Sequence, residues 1–192
     1  MKFDKITVSG KAGVGTSTLS KHLAHSLKWK YINVGTIQRE FDVSNGLLEY
    51  DHGSTAHTDE HERSIEQMTQ DVLNKETNIV YEAWLSGFMA RETPKTLRVL
   101  LICSNFGIRI DRVSNRDMLT MKEAKHFIQI RERQNITKWK KIYGEYDFWD
   151  PKYFHVIIDT AKCGPMETVG IVLDKLGYNM KHEVRASLSK ND

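Results

Sequence analysis

The fold is decided by the stretch Gly10-Lys11-Ala12-Gly13-Val14-Gly15-Thr16-Ser17-Thr18, which follows the short apolar run Lys5-Ile6-Thr7-Val8. The stretch matches the phosphate-binding pattern G-x-x-x-x-G-K-[ST] at every fixed position except one, because Thr16 stands where the pattern has lysine. After it, Leu19, Leu23 and Leu27 recur at helical spacing. A glycine loop between a strand and a helix directs backbone N–H groups and the positive end of the helix dipole at phosphate oxygens. We therefore predict that residues 10 to 18 hold the phosphates of a nucleoside triphosphate.

The rest of the chain alternates apolar runs with stretches of helical periodicity. We predict strands at 5–8, 31–34, 78–82, 97–103 and 154–158, and helices at 17–26, 37–41, 59–74, 106–116, about 120–143 and 165–176. Thr120 and Glu123 form the sequence signature of a capping box at the start of the long helix. Residues 44–58 have no clear period, and we expect loop and short helix over a binding cleft. This alternation predicts an α/β fold of the three-layer P-loop NTPase type, with a five-stranded parallel sheet and helices on both faces.

Length and composition favour a single domain. The chain has 192 residues, of which 40% are hydrophobic and 28% charged, as in an ordinary globular protein. We place one domain at 1–178 and expect a flexible tail at 179–192, which is polar and aperiodic. The apolar runs are far shorter than the roughly 20 residues that cross a bilayer, and the first residues lack the pattern of a secretory signal. We expect a cytoplasmic monomer without a membrane partner.

Positive charge is concentrated in one part of the sequence. Residues 109–141 contain ten lysines and arginines and only four acidic residues, although the net formal charge of the chain is only +3. Such a local excess suits a polyanionic ligand. No nucleic-acid recognition motif accompanies it, and the spacing of Trp139 and Tyr143 suits helix packing, so we do not expect nucleic acid as the partner.

Four segments together resemble a known enzyme family. They are Val8-Ser9-Gly10 through Thr18-Leu19, Asn33-Val34-Gly35-Thr36-Ile37-Gln38-Arg39, Tyr81-Glu82-Ala83-Trp84-Leu85-Ser86-Gly87-Phe88, and Arg131-Glu132 through Lys140-Lys141-Ile142-Tyr143-Gly144. Their order resembles that of the archaeal-type cytidylate kinases over almost the whole chain. The resemblance implies transfer of the γ-phosphoryl group of ATP to CMP or dCMP with Mg²⁺. It also implies an acceptor-binding region at about 36–75 and a helical lid at about 117–145.

The resemblance assigns one group of residues to the phosphoryl acceptor. Arg39 matches the arginine that grips the acceptor phosphate, for which a forked guanidinium is well suited. Arg63 is similar to a second acceptor-side arginine, and Gly35 and Thr36 belong to the same region. Trp84 departs from the family, which has an arginine there. An indole can stack on a base but cannot neutralise a phosphate, so this change leaves the acceptor's identity open.

A second group of residues is assigned to ATP, the metal ion and the lid. Ser17 stands where a hydroxyl ligates Mg²⁺, and Glu82 matches an acid that orders the ion through water. Arg112 and Arg116 resemble ATP-side arginines. Arg131 and Lys138 lie seven residues apart, hence on one helix face, and match lid cations that close over the transferred group, with Lys138 replacing an arginine.

The missing loop lysine leaves three explanations open. Lys11 reaches the phosphates in its place, as a lysine does in the deviant P-loops of the chromosome-partitioning ATPases that this segment resembles. Alternatively, the lid arginines carry the chemistry at a reduced rate. In the third explanation, the protein binds nucleotide and no longer transfers phosphate, since threonine removes a cation from the position where charge develops.

Three functions are therefore compatible with the sequence. The first is a nucleoside-monophosphate kinase that phosphorylates CMP or dCMP. The second is a nucleotide-binding pseudokinase that regulates a partner, because Thr16 and Trp84 both remove positive charge near the reaction centre. The third is a kinase for another small acceptor, such as AMP or a compound that is not a nucleotide.

Overall fold

The computed structural model describes residues 2–46 and 57–178. Its five strands form one sheet in the order β2-β3-β1-β4-β5, and all neighbouring strands run parallel. The strands are β1 (Lys5–Ser9), β2 (Lys30–Asn33), β3 (Ile79–Glu82), β4 (Thr96–Ile102) and β5 (Val156–Asp159). This confirms the predicted five-stranded parallel sheet. The largest deviation is at β5, which starts later than predicted because a 3₁₀ turn, Pro151–Tyr153, precedes it.

Seven α-helices occur in the described part of the chain. They are α1 (Thr16–Leu27), α2 (Val34–Ser44), α3 (Asp59–Lys75), α4 (Ser86–Met89), α5 (Phe106–Asp117), α6 (Met121–Tyr143) and α7 (Pro165–Leu176). The short helix α4 was not predicted. Helix α2 starts earlier than predicted, because the side chain of Asn33 at the end of β2 accepts a hydrogen bond from the backbone N–H of Thr36 and caps it. The predicted capping box of Thr120 and Glu123 opens α6.

The sheet is covered on both faces. In β3, Val80 belongs to the core cluster that contains α1 and α7, whereas Ile79 and Tyr81 belong to the cluster that contains α3. Successive residues of a strand point to opposite faces, so the two clusters lie on opposite sides of the sheet. The predicted three-layer arrangement is confirmed.

Two contacts position the functional elements. Strand β1 lies between β3 and β4, and Val8 pairs with Glu82 in register. The glycine loop after β1 therefore meets Glu82 at the carboxyl edge of the sheet. Helix α6 packs against α5 near its start, through Ala124, Phe127 and Ile128.

The predicted loop at 44–58 lies largely outside the described residues, and the predicted tail at 179–192 lies wholly outside them. In the described ranges, none of the helices combines the length and the apolar character that a bilayer crossing requires.

Candidate active site

The loop between β1 and α1 requires its glycines. A Cβ atom on Gly10 would lie 2.8 Å from the carbonyl oxygen of Leu101, and one on Gly13 would lie 2.7 Å from the carbonyl oxygen of Arg109. Gly13 and Gly15 also have φ angles of 77° and 97°, which favour glycine. Helix α1 begins directly after Gly15. The loop thus has the close backbone packing and the helix start that suit phosphate binding.

Glu82 is the centre of a polar network beside this loop. Its side chain is buried, with 6% of the residue exposed. Oε1 accepts hydrogen bonds from Ser17 Oγ at 2.6 Å and Thr16 Oγ1 at 2.8 Å. Oε2 accepts from Asn33 Nδ2 at 2.9 Å and from the hydroxyl of Tyr31. Four neutral donors thus stabilise a buried charge that would otherwise be costly.

Tyr31 and Asn33 are functional candidates that sequence reasoning missed. They lie two positions apart on β2 and therefore share one face of the strand, and Asn33 pairs with Glu82 in register. Burial and then the neighbouring Glu82 hold the pKa of Tyr31 well above its usual range, so this hydroxyl stays a donor. The alternate spacing of Tyr31 and Asn33 was the only signal in the sequence, and it becomes informative only when β2 is known to adjoin β3.

Ser17 and Glu82 bring together two oxygen ligands of the kind that Mg²⁺ prefers. Their contact of 2.6 Å lies at the start of α1, under the loop. In the described ranges, no group of three or more histidine, cysteine, aspartate or glutamate side chains could hold a metal ion. A magnesium ion at Ser17 would therefore depend on nucleotide phosphates and water for its other ligands.

A cavity of about 440 Å³ opens on one side of the loop. It is lined by loop residues 13 to 18, by Arg112 and Arg116 of α5, and by Thr160 and Cys163 after β5. This volume falls in the range of about 300–1,000 Å³ typical of small-molecule sites. The structure thus brings both predicted ATP-side arginines to the same cavity as the loop.

The two arginines of α5 make different contacts. Arg112 donates to Thr160 Oγ1 at 2.9 Å, to the Thr160 carbonyl oxygen at 3.0 Å and to the Gly13 carbonyl oxygen at 3.3 Å. It connects the phosphate loop to the segment after β5. Arg116 forms an ion pair with Asp117, with an N–O distance of 2.6 Å.

Lys11 lies near Glu132 of helix α6. Its Nζ lies 4.8 Å from the centre of the Trp149 ring and 3.9 Å from Glu132 Oε2. Glu132 also binds Arg109, whose Nε donates to the carbonyl oxygen of Ala12 at 2.9 Å. In this structure Lys11 does not line the 440 Å³ cavity, although it belongs to the same loop.

A second, smaller cavity of about 70 Å³ lies between α2, α3, α6 and the segment after β3. Among the predicted site residues, Gly35, Trp84 and Arg131 line it. The guanidinium carbon of Arg131 lies 5.4 Å from the centre of the Trp84 ring, which is a cation–π distance. The volume is well below that of a typical ligand site, so a ligand would need more room than this arrangement gives.

Eight predicted site residues lie outside both cavity linings, namely Gly10, Lys11, Ala12, Thr36, Arg39, Arg63, Glu82 and Lys138. Arg39 is exposed and donates to Thr36 Oγ1 at 3.2 Å. Arg63 is exposed on α3 and lines neither cavity. Lys138 donates to Asp59 and, at 2.9 Å, to the carbonyl oxygen of His57, instead of pointing to the phosphate loop. The functional roles of these residues stay predictions.

A buried ionisable cluster also escaped the sequence analysis. His57 Nε2 lies 2.5 Å from Asp42 Oδ1, and His57 Nδ1 lies 3.1 Å from Glu62 Oε1. Glu62 Oε2 accepts a hydrogen bond from Trp139 Nε1 of α6 at 3.1 Å. The hydrogen bond to Glu62, followed by that to Asp42, raises the pKa of His57 despite its burial. No sequence signal indicates this cluster, because its members are scattered and carry no motif.

Comparison with known proteins decides the family. A family model described as the cytidylate kinase-like family matches residues 5–162. The chain belongs to the cytidylate kinase-like family. Its similarity extends to the cytidylate kinase of Pyrococcus furiosus, with 33% identity over 169 residues, covering 87% of this chain and 85% of that protein. The cytidylate kinase of Methanosarcina mazei is 29% identical over 171 residues, covering 88% of this chain and 93% of that protein. The predicted kinase family is confirmed.

Solved structures of other kinases share the fold of this cytidylate kinase-like chain. A gluconokinase from Sinorhizobium meliloti 1021 aligns with a TM-score of 0.61 at 15% identity, covering 97% of this chain and 98% of its own. A shikimate kinase from Bacteroides thetaiotaomicron aligns with a TM-score of 0.59 at 14% identity, covering 91% of this chain and 98% of its own. At such identities the likeness concerns the fold alone, and it confirms the predicted P-loop fold.

Proposed function

We propose that this protein transfers the γ-phosphoryl group of ATP to CMP or dCMP. The observation that carries the proposal is the contact between Ser17 and Glu82 beneath an intact glycine loop. The hydrogen bonds to this buried carboxylate, at the first turn of α1, all come from neutral donors. Such a carboxylate suits a metal–nucleotide site. Membership of the cytidylate kinase-like family and the names of the relatives support the choice of a cytosine nucleotide.

Each side of the loop has a role in this reaction. Backbone N–H groups of residues 10 to 18 hold the ATP phosphates, and Arg112 and Arg116 border the nucleotide in the larger cavity. Arg131 and Lys11 supply positive charge on the lid side. Catalysis then consists of positioning and of stabilising charge on the transferred group. We assign this work to one domain at 1–178, with the acceptor region at about 36–75 and the lid at about 117–145.

Mg²⁺ fits the residues at the start of α1. Ser17 Oγ would bind it directly, and Glu82 would hold it through water, since both are oxygen ligands placed side by side. The ion would supply positive charge that neutralises the ATP phosphates. Tyr31 and Asn33 keep Glu82 in place by occupying its second oxygen.

We expect α6 to move when the acceptor binds. Arg131, Asn135, Trp139 and Tyr143 of that helix line one side of the acceptor-side cavity of about 70 Å³, which is too small for a nucleotide. Lys138 and Lys141, both on α6, form ion pairs with Asp59 at the start of α3. Opening would separate both pairs, in which the Lys141 side chain is 70% exposed and the Lys138 side chain 12% exposed. A lid that opens and closes suits an enzyme that must admit and release its acceptor.

One observation favours a second function, nucleotide binding without phosphoryl transfer. Thr16 donates its hydroxyl to Glu82, and Lys11 contacts Trp149 and Glu132. In this structure the loop therefore directs no lysine into the nucleotide cavity. A protein that binds ATP in this state would act through its bound form on a partner.

Turnover decides between the two functions. Purified protein is mixed with ATP, Mg²⁺ and each of CMP, dCMP, UMP and AMP, and ADP formation is followed beside a Lys11→Ala variant. The matched control is Lys152→Ala. Like Lys11, Lys152 contacts an aromatic ring, with its Nζ 5.0 Å from the centre of the Tyr153 ring, and it forms an ion pair with an acidic residue, Asp150. We expect turnover with CMP or dCMP that collapses only in Lys11→Ala. Absence of turnover with every acceptor, together with retained ATP binding, would refute the kinase proposal.

A further inference from the structure

The acceptor-side cavity has a cationic end near the phosphate loop. Residues of α6 that line it recur every four positions, namely Arg131, Asn135, Trp139 and Tyr143. Arg131 precedes Glu132, which contacts Lys11 of the loop. A nucleotide acceptor would place its phosphate at the Arg131 end. There the positive arginine faces the negative phosphate, and the transferred phosphoryl group arrives from the neighbouring loop.

The other end of this cavity carries a carboxylate. Glu66 of α3 lines the cavity together with Tyr143. Burial and then the charge of Glu66 raise the pKa of Tyr143, so this hydroxyl keeps its proton. The end of the acceptor farthest from its phosphate is its base, so the base would meet Glu66.

Other polar side chains of the wall formed by α3 are already satisfied. The two carboxylate oxygens of Glu62 are occupied by His57 and Trp139. The hydroxyl of Thr69 donates to its own helix and contacts the Tyr81 hydroxyl at 2.8 Å. Of the two carboxylates of α3 that line the cavity, Glu66 is thus the one whose oxygens are not both occupied by the hydrogen bonds of the described residues.

We propose that Glu66 is a specificity-determining residue that selects an acceptor whose base carries an exocyclic amino group. This inference rests on the proposed function and names the feature of the acceptor that the site reads. An ionised carboxylate can only accept hydrogen bonds. Cytosine offers the N4 amino group as a donor, and glutamate or aspartate side chains accept from it in other complexes. Uracil presents a carbonyl oxygen at the same place, which a carboxylate repels.

The test exchanges the carboxylate for an amide. Glu66→Gln keeps the size of the side chain and adds an N–H donor that suits the O4 oxygen of uracil. Binding of CMP and UMP is measured by calorimetry beside kcat/KM for both. We expect the preference for CMP over UMP to fall about ten- to hundredfold, the range for one hydrogen bond to a charged group. The control is Glu60→Gln, an exposed carboxylate on the same helix, which should leave the preference unchanged.

The binding measurement separates this inference from the proposed function. Wild-type protein that prefers CMP in binding without any turnover would contradict the kinase proposal and still support the role of Glu66, provided that Glu66→Gln loses the preference. Equal loss of CMP and UMP binding in Glu66→Gln, or a wild type without preference, overturns the inference. If Glu66→Gln does not fold, Glu66→Asp replaces it. This variant keeps the charge, so it should bind CMP more weakly and still prefer CMP over UMP. Loss of that preference in Glu66→Asp would count against Glu66.

Discussion

Replacing Glu82 by glutamine changes the centre of the active-site network without changing its size. The carboxylate accepts four hydrogen bonds, two on each oxygen, whereas an amide has one oxygen and one N–H₂ group. Asn33 Nδ2 can only donate, so the remaining oxygen must face Asn33 and Tyr31. The new amide donor then faces Thr16 and Ser17, and it directs hydrogen atoms at the Ser17 oxygen that would bind Mg²⁺.

The magnitude follows from the role of Glu82 as a ligand through water. Loss of such an outer-shell group typically costs about 10- to 100-fold in metal affinity or activity. We expect the Mg²⁺ concentration at half-maximal rate to rise at least about tenfold in Glu82→Gln. Each of the four hydrogen bonds also loses about 1 kcal/mol of charge assistance. The free energy of unfolding therefore falls by at most about 4 kcal/mol, because one buried charge is removed at the same time.

The assay is an Mg²⁺ titration of ADP formation with CMP, with ATP binding as a second readout and denaturant unfolding to establish that the variants fold. Tyr31→Phe removes one donor and keeps the charge, so its effect should be smaller than that of Glu82→Gln. Glu76→Gln is the control, because it breaks an exposed ion pair with Lys30, at 2.7 Å, away from the loop. A folded Glu82→Gln protein with unchanged Mg²⁺ dependence in both readouts would refute the assignment of Glu82.

Three further predictions concern stability. Gly87→Ala should cost about 1–3 kcal/mol of unfolding free energy, because its Cβ would lie 2.2 Å from the Phe154 ring, whereas Gly170→Ala, with nothing within 4 Å, should not destabilise α7; equal denaturation midpoints would contradict this. The pKa of His57 is raised in the folded protein, so protonated His57 stabilises the fold below its ordinary pKa, and this stabilisation is lost as pH rises through the folded value. The free energy of unfolding should therefore depend less on pH in His57→Gln than in the wild type. Asp159, whose pKa is lowered to about 2 by hydrogen bonds from Ser104, should stabilise relative to Asp159→Asn above its ordinary 3.8 and lose that advantage towards pH 2; a constant difference between the two proteins would count against it.

The fold could be predicted because its signals are local. The glycine loop, the apolar strands and the capping box of α6 each occupy a few consecutive residues, and the helix at Pro165–Leu176 has the predicted bounds, since Pro165 and Gly177 mark its ends. Parallel pairing follows from the alternation of strands and helices. Glu82 was predicted as a site residue for a related reason, because a carboxylate at the end of an apolar strand is costly unless it has a function.

The partners of the site residues could not be predicted, because they depend on register and on helix packing. Tyr31 and Asn33 reach Glu82 only because β2 adjoins β3. The resemblance gave Lys138 a role in the lid, and nothing in the sequence indicated that Asp59, far away along the chain, forms an ion pair with it. Periodicity gives the face of a helix and not the charges of the element that packs against it.

The position of Lys11 bears on whether the variant loop can transfer phosphate. Its contact with Glu132 is long, at 3.9 Å, and its side chain is 37% exposed. An ion pair of this kind contributes at most about 1 kcal/mol, and Glu132 keeps Arg109 as its partner when Lys11 leaves. The phosphates of ATP carry several negative charges next to the same loop, so they can compete for Lys11 at small cost. Lys11 can therefore supply the positive charge that is missing at Thr16 if ATP draws it away from Trp149. That movement would change the fluorescence of Trp149 when ATP binds, and the change should be lost in Lys11→Ala.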